Sequence, residues 1–293
     1  MGTSITALAP AKLNLALHVL RRRADGYHEL DSLVAFAPDA ADEVSLTPAA
    51  AFSLDVEGPL AAGVPRDDSN LALRAAQEMA RRWPRHFGPV EVRLRKNLPS
   101  AAGIGGGSAD AAAVIHAMCA LFGFLPAQEE LGALALKLGA DVPVCLHGRA
   151  ARMGGIGEDI TALAELPETF CLLANPGVAL STAQVFGALH ETSAMSGAPL
   201  PDALLAEHAD AASLAEALRR ARNDLQAPAC ILAPAVKRCL TTLRGLPGVL
   251  LARMSGSGAT CLALFAERQM AEEALRELRA EQPDWWLAVS RLR

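Results

Sequence analysis

A glycine-rich segment at residues 97–110 carries the clearest chemical signal in the chain. Four glycines occupy five successive positions there, and an Ala-rich run that predicts a helix follows directly: Gly103, Gly105, Gly106 and Gly107. Glycine permits positive φ and exposes backbone N–H groups, and a helix N-terminus adds unpaired amides and a positive dipole end. The pattern predicts a phosphate-binding loop, although a tight strand-to-helix turn that binds nothing has the same composition.

Two common nucleotide motifs do not match this segment. A Walker A loop has Lys and then Ser or Thr after its last glycine, whereas Gly107 is followed by Ser108 and Ala109. The dinucleotide fingerprint Gly-x-Gly-x-x-Gly, started at Gly103, has Ser108 in place of its third glycine. The sequence therefore favours neither a P-loop nor a Rossmann site.

The segment closely resembles the second motif of the GHMP small-molecule kinases, which include galacto-, homoserine, mevalonate and phosphomevalonate kinases. Ala9–Leu15 is similar to the first motif of that family, and Ser255–Thr260 is similar to its third. The resemblance extends over essentially the whole chain. It implies an α+β fold with a ribosomal S5 domain 2-like, ATP-binding N-terminal domain at residues 1–162 and a ferredoxin-like C-terminal substrate domain at residues 163–293.

Two further segments, Asp25–Leu30 and Gly139–Pro143, resemble one branch of the family, whose substrate carries a cytosine base. The resemblance implies an enzyme that phosphorylates a small alcohol with ATP and Mg²⁺. The alternatives are a kinase for homoserine or phosphomevalonate, which have no base to bind, and a catalytically silent nucleotide-binding regulator. A catalytically silent regulator would not need the catalytic residues of the family. The presence of both Lys12 and Asp141, which match those residues, argues against it.

The resemblance implies that Asp141 is the catalytic base and that Lys12 pairs with it. Asp141 stands in an otherwise apolar segment, where a carboxylate costs free energy unless it is paired. An Asp after a glycine is also common in turns, and Lys12 could be a snorkelling lysine at a sheet edge. A cation beside Asp141 would keep the base ionised.

Substrate and nucleotide contacts are implied in the same way. For the substrate they are Asn14, Tyr27, His28, Thr182 and Phe186. For ATP they are Pro99, Ser100, Ala101, Ala102, Gly103, Ile104, Gly105, Gly106, Gly107, Ser108 and Ala109, with Asn70 and Lys96 near the adenine.

Several of these residues have a second interpretation. Tyr27 is the only tyrosine, and it can stack on the cytosine beside His28 or cap the core. Phe186 can line the substrate site or belong to the core. Ser108 is either a ligand of phosphate or Mg²⁺ or the N-cap of the following helix. Residues 255–258 form either a hairpin turn or a loop that closes on the phosphates. Ala101 and Ala102 stand where many family members have glycine.

Alternating and helical patterns predict the elements that position these residues. The predicted strands are Lys12–Val19, Glu43–Thr47, Phe52–Val56, Val90–Leu94, Phe170–Ala174, Val249–Met254, Thr260–Phe265 and Trp286–Arg291. The predicted helices follow N-caps at Asp68–Asn70 through about Arg82, and then cover Ala109–Leu121, Glu129–Leu138, Asp202–Arg222, Ala229–Leu243 and Gln269–Glu281. The breaker cluster at 154–157 is either a hairpin turn or the approach to a domain junction.

Composition excludes several classes of protein. With 52% hydrophobic and 20% charged residues, the 293-residue chain is typical of a well-packed globular protein. A net charge of -5 without a long basic block argues against nucleic-acid binding, and the basic run at 21–23 is typical of a solvated hairpin end. The six cysteines are at least nine residues apart, which argues against a zinc site. We expect a cytoplasmic protein without a membrane segment, as a monomer or weak homodimer.

Overall fold

The computed structural model describes residues 4–189 and 197–293, which fold as two compact units. The first unit comprises the chain up to Ala11, Ala41–Ser100 and Gly105–Gly148. The second comprises Lys12–Ala40, Ala101–Ile104 and Arg149–Arg293. Both units are therefore discontinuous in sequence. The division at residues 162 and 163 concerns the family's domains and stays a prediction.

Two long strands, β1 (Ile5–Arg22) and β2 (His28–Pro48), begin the chain and contribute to both units. The first unit continues with β3 (Ser53–Glu57), α1 (Leu71–Arg82), β4 (Val90–Arg95), α2 (Gly106–Phe122), α3 (Gln128–Leu138) and α4 (Val142–His147). Strand β4 pairs antiparallel with residues 43–48 of β2 and parallel with β3. Helix α2 packs against both α1 and α4. These contacts fix the position of its N-terminus.

The second unit contains a hairpin and a separate sheet with its helices. The elements are β5 (Ala151–Gly155), β6 (Asp159–Ala162), β7 (Phe170–Asn175), α5 (Thr182–Leu189), α6 (Asp202–Leu205), α7 (Ala211–Arg219), α8 (Gln226–Leu232), α9 (Pro234–Gly245), β8 (Leu251–Met254), β9 (Cys261–Phe265), α10 (Arg268–Glu281) and β10 (Trp286–Arg291). The antiparallel sheet has the strand order β10-β7-β9-β8. With helices between β7 and β8 and between β9 and β10, this is the ferredoxin-like arrangement, and the α+β prediction is confirmed.

The core of the second unit explains why its central strands are apolar on both faces. Every residue of β7 and β9 is buried. Side chains from α8, α9 and α10 pack against this sheet, among them Ala229, Val236, Leu240, Ala271 and Leu278. Burial of both faces removes the polar alternation that a half-exposed strand shows. The short apolar runs could therefore be recognised as strands by length and flanking residues alone.

Most predicted elements are confirmed, and two predicted helices are each divided. The predicted helix at 229–243 is α8 followed by α9, because Pro234 lacks the N–H that would continue the hydrogen-bond ladder. The predicted helix at 202–222 is α6 followed by α7. Asp210 starts α7 with a capping box in which it accepts the Ser213 N–H at 2.8 Å.

Three smaller expectations are also resolved. The cluster at 154–157 is the turn between β5 and β6, as the hairpin interpretation predicted. The arginines at 21–23 lie at the exposed end of the β1–β2 hairpin, where Arg21 pairs with Glu29 and Arg23 with Asp25. All six cysteines are free thiols. None of the described helices has the length and apolarity needed to cross a membrane.

Candidate active site

Three segments that resemble family motifs meet within the second unit: Lys12–Asn14, Ala101–Ile104 and the serine loop, Ser255–Gly258. The backbone N–H of Lys12 donates to the Ile104 carbonyl at 2.9 Å. The N–H of Asn14 donates to Ser255 Oγ at 3.0 Å, and that hydroxyl donates to the Gly103 carbonyl at 2.9 Å. Ser255 therefore joins all three segments, which lie far apart in sequence.

Gly103 is required by the close approach of the serine loop. Its φ is +72°, and a Cβ at this position would lie 2.5 Å from the Ser255 carbonyl oxygen and 2.7 Å from the Gly258 nitrogen. The neighbouring Ala102 carbonyl accepts the Thr260 N–H at 3.1 Å. Only a residue without Cβ fits such backbone-to-backbone contact. The serine loop is thus packed on the glycine segment, in addition to being a turn between β8 and β9.

The N-terminus of α2 fits a phosphate group. Gly105 is its N-cap with φ +62°, no side chain caps the helix, and no acidic residue lies in its first turn. Gly105 has no side chain to cap the first amides, and the first turn of α2 carries no carboxylate of its own. Because α2 begins at Gly106, Ser108 is its third residue, so the interpretation of Ser108 as N-cap is wrong. The predicted ATP contacts of residues 99–109 stay predictions.

A buried ionic network lies directly beside this helix start. Lys96 Nζ donates to Asp42 and, at 2.8 Å, to Asp110 on α2, and all three side chains are almost fully buried. Asp42 Oδ1 also accepts the N–H groups of Asn97 and Leu98 at 2.6 and 2.9 Å. The network therefore holds both the chain that enters the glycine-rich segment and the helix that leaves it.

The charges of this network are interdependent. Burial raises the pKa of Asp110 to about 7, against the opposing attraction of Lys96. Burial alone would lower the pKa of Lys96, but the two carboxylates hold that pKa above its usual value. Since Nζ is engaged by two carboxylates, Lys96 has a structural role beside the loop. Its predicted adenine contact stays a prediction.

Asn70, the other predicted adenine contact, is the N-cap of α1. Its Oδ1 accepts the Ala72 N–H at 2.9 Å, and its Nδ2 donates to the Pro65 carbonyl at 2.8 Å. The predicted cap is thereby confirmed. Both ends of the side-chain amide are used within the first unit, and the adenine contact stays a prediction.

The two predicted catalytic residues lie in different units. Asp141 is the N-cap residue of α4, is half-buried and does not cap the helix through its side chain. Lys12 is only 3% exposed, which is incompatible with a snorkelling edge lysine. Both faces of β1 are buried around Lys12, so the polar face of this strand lies in the protein interior. The pairing of Lys12 with Asp141 stays a prediction.

Asn14 presents an acceptor beside the motif segments. Its Nδ2 donates to Ser32 Oγ at 2.7 Å, and that hydroxyl donates to the Ala16 carbonyl at 2.7 Å. Among the described residues, the buried Oδ1 has no hydrogen-bond partner. A buried acceptor without a partner costs free energy, which a donor on a ligand would recover. The geometry suits the predicted substrate contact of Asn14.

Tyr27 lies directly before β2, which begins at His28 after a tight turn. Asp25 Oδ1 accepts the Tyr27 N–H at 3.1 Å, and Gly26 between them has φ +89°. The Tyr27 side chain is 60% exposed, so the interpretation that it caps the core is wrong. His28 stacks on Phe186 with ring centroids 4.8 Å apart and an interplanar angle of 25°.

The two remaining substrate candidates lie on α5. Phe186 is half-buried and packs on the core of the second unit, which confirms its core interpretation, and its place in the substrate site stays a prediction. Thr182 Oγ1 is 2.8 Å from Ser257 Oγ in the serine loop. The structure therefore brings Thr182 to the motif segments and Phe186 to His28.

Sequence reasoning missed Asp42, Asp110 and Ser32 as supporting residues. Asp110 is part of the glycine-rich motif and could have been suspected, because a carboxylate in an Ala-rich helix needs a partner. Asp42 and Ser32 lie in a long strand of which only the end was predicted, and nothing local distinguishes them. The described residues contain no group of three or more His, Cys, Asp or Glu that could hold a metal ion.

Comparisons with known proteins point to the same family as the motif segments. The model of the GHMP kinases N terminal domain matches residues 70–149, and that of the GHMP kinases C terminal domain matches residues 202–284. A protein of Cereibacter sphaeroides named 4-diphosphocytidyl-2-C-methyl-D-erythritol kinase is 50% identical over 287 residues, which cover 98% of each chain.

Solved structures give the same result. A crystal structure of 4-(cytidine 5'-diphospho)-2C-methyl-D-erythritol kinase is similar with a TM-score of 0.79 and 36% identity, over 98% of this chain and 99% of the other. A homoserine kinase from Cytophaga hutchinsonii has the same fold, with a TM-score of 0.74 and 18% identity over 99% of this chain and 95% of the other. The chain belongs to the GHMP kinase family.

Proposed function

We propose that this protein transfers the γ-phosphoryl group of ATP to the 2-hydroxyl of 4-diphosphocytidyl-2-C-methyl-D-erythritol, which gives the 2-phosphate and ADP in non-mevalonate isoprenoid biosynthesis. The observation that carries the proposal is the assembly of the three motif segments around Ser255 within one compact unit. The names of relatives near 50% identity over almost the whole chain support the choice of substrate.

The first task of such an enzyme is to hold a triphosphate, which is the role we assign to the glycine-rich segment. The uncapped N-terminus of α2 supplies amides and a positive dipole end. Ser108, in the first turn, can offer a hydroxyl to phosphate or to Mg²⁺. Magnesium is usually bound through substrate phosphates and one or two protein carboxylates, and Ser108 would add a hydroxyl ligand to the phosphates. Mg²⁺ supplies charge neutralisation on the phosphates.

The second task is proton removal, which we assign to Asp141. Asp141 accepts the proton of the 2-hydroxyl as that oxygen bonds to the γ-phosphorus and the bond to the β–γ bridging oxygen breaks. Lys12 provides a buried positive charge that favours an ionised base and an ionised alcohol. Asn14 Oδ1 is an acceptor that can orient the substrate.

The third task is recognition of the cytidine, which we assign to Tyr27, His28 and Phe186. The exposed Tyr27 ring offers a π-face, and the stacking of His28 on Phe186 fixes the imidazole plane. Homoserine and phosphomevalonate have no base to occupy such a site. Recognition of the base therefore separates the proposal from the other kinase activities of the family.

The test compares substrates for ADP release by the pure protein with MgATP. We expect rapid release with 4-diphosphocytidyl-2-C-methyl-D-erythritol and very slow release with methylerythritol phosphate, homoserine or phosphomevalonate, because binding energy from the base helps to orient the hydroxyl. Equal kcat/KM with and without the cytidine would refute the substrate assignment. Absence of ADP release with every alcohol would favour a silent nucleotide-binding protein.

A further inference from the structure

A cavity of about 290 Å³ in the second unit contains none of the residues assigned above. Four arginines and two side-chain amides dominate its lining, which comprises Arg219, Arg222, Asn223, Gln226, Arg244, Leu251, Ala252 and Arg253. The volume is just below the range of about 300–1,000 Å³ that is typical of ligand pockets, which fits a small ligand. The composition predicts that such a ligand is an anion.

The positive charge of this cavity exceeds its neutralising charge. Arg219 pairs with Glu216 and Arg222 pairs with Asp224. Among residues 4–189 and 197–293, no carboxylate lies within ion-pair distance of Arg244, and the same holds for Arg253. Counted over the described part of the chain, four arginines against two carboxylates leave a net charge of +2.

Arg253 is the most buried of the four arginines, at 7% exposure. Its Nη1 donates to the Leu15 carbonyl at 2.6 Å, and its Nη2 donates to the Leu218 and Ala221 carbonyls at 2.8 and 2.6 Å. Burial, with a smaller contribution from Arg244, lowers the pKa of Arg253 to about 10. These carbonyls satisfy hydrogen bonds but carry no full charge, so a buried positive charge remains to be compensated.

We propose that this arginine cavity (residues 219, 222, 244 and 253 with Asn223 and Gln226) binds a small molecule through a phosphate or diphosphate group. Guanidinium groups are planar and donate in pairs, which matches phosphate oxygens. A phosphate group with two negative charges balances the net charge of the cavity. Asn223 and Gln226 add neutral polar contacts.

The cavity is connected to the serine loop by two of its lining residues. Asn223 Nδ2 donates to the carbonyls of Met254 and Gly256, both at 2.8 Å. Gln226 Oε1 accepts the Met254 N–H at 3.0 Å. A ligand in the cavity therefore contacts the side chains that hold the start of the serine loop, and its binding is expected to change the kinase rate.

The direct test is calorimetric titration of the full-length protein with inorganic pyrophosphate in Mg²⁺-free buffer. The variants are Arg244→Gln, which removes an unpaired cavity charge, and Arg238→Gln, which removes an exposed arginine on the same helix outside the cavity. Any binding at the nucleotide or substrate site is common to all three proteins. We expect one binding event to weaken about tenfold or more in Arg244→Gln alone, as for the loss of a charged hydrogen bond.

Further arms identify the ligand and make the result independent of the kinase activity. Inorganic phosphate and glycerol 3-phosphate, titrated in the same way, distinguish a site for free anions from one for phosphate esters. Thermal unfolding checks that Arg244→Gln is folded, and Arg219→Gln replaces it otherwise. Identical isotherms for the wild type and a folded cavity variant would overturn the proposal, whether or not the protein phosphorylates its proposed substrate.

Discussion

At the scale of single residues, Asp141 is the N-cap residue of α4, and its half-buried carboxylate does not cap the helix. Because its side chain does not cap α4, Asp141→Asn is expected to preserve the fold. Loss of the base should lower kcat by about 10² or more and leave the affinity for a non-hydrolysable ATP analogue unchanged. Steady-state kinetics and calorimetric titration measure the two quantities.

Lys12→Ala provides a second variant for the same step. If Lys12 and Asp141 act as a unit, the double variant should lose less activity than the product of the two single losses. Fully multiplicative losses would contradict the predicted pair. A kcat for Asp141→Asn close to that of the wild type would show that Asp141 is not the base.

Tyr27 gives a prediction on the substrate. Tyr27→Ala is expected to weaken substrate binding by about 1–3 kcal/mol, the range for stacking of a base on an aromatic side chain, with ATP affinity unchanged. Since the ring is exposed, its loss should leave the core intact. Tyr27→Phe is the matched control, because it keeps the π-face and should cost less. Equal losses for both variants would indicate a role for the hydroxyl instead.

At the scale of elements, the glycines of the glycine-rich segment differ in whether their positions would tolerate a side chain. Gly106 is the first residue of α2, and a Cβ there would meet only ordinary contacts, the nearest at 3.7 Å. The first residue of the helix therefore does not need glycine for its backbone conformation. Gly103 and Gly105 have the positive φ values. Nearby Ala101 also has a positive φ, +50°, a conformation that favours glycine.

Gly103→Ala is expected to disrupt the contact with the serine loop. Gly123 is a matched control, because its φ of +65° is similar but its Cβ would have no neighbour within 4 Å. Gly123→Ala should cost about 1–2 kcal/mol of folding free energy through its φ alone. Gly103→Ala should cost more and abolish most kinase activity. Denaturant unfolding and ADP release measure both effects, and equal stability with full activity in Gly103→Ala would show that the contact is unimportant.

The elements also show where sequence reasoning succeeds and fails. Strict alternation identified Lys12–Val19, and capping residues identified the start of α1, because both signals are local. Strand β2 was seen only at its end, since residues 33–37 are buried on both faces and show no alternation. The role of Ser255 depends on residues more than 150 positions away. Such partners could be inferred only through the family resemblance.

At the scale of the whole molecule, the acidic chain has a buried ionic network in its second unit that is centred on Asp31. This residue is 2% exposed, accepts two hydrogen bonds from Arg152 at 2.7 and 2.8 Å, and accepts the Leu200 N–H at 2.8 Å. It thereby joins β2, β5 and a loop of the second unit. Burial alone would raise the pKa of Asp31, but these hydrogen bonds outweigh burial and hold the pKa below 3.8.

The sign of the resulting pH dependence follows from this lowered pKa. The ionised form is favoured more in the folded than in the unfolded state, so its contribution to stability is present above about pH 3.8 and is lost as pH falls through the folded-state pKa. Asp31→Asn should therefore lower the free energy of unfolding by roughly 1–3 kcal/mol at pH 7. The lower part of this range is expected, because the Arg152 side chain is 37% exposed and water screens the pair.

Urea unfolding of the wild type and Asp31→Asn at several pH values tests this prediction. The difference between them should be constant from pH 8 to pH 5 and should shrink below about pH 4. Asp55→Asn is the control, because Asp55 is 55% exposed and its ion pairs should contribute at most about 1 kcal/mol. A difference for Asp31→Asn that is as large at pH 3 as at pH 7 would mean that the side chain stabilises the second unit through its shape and not through its charge.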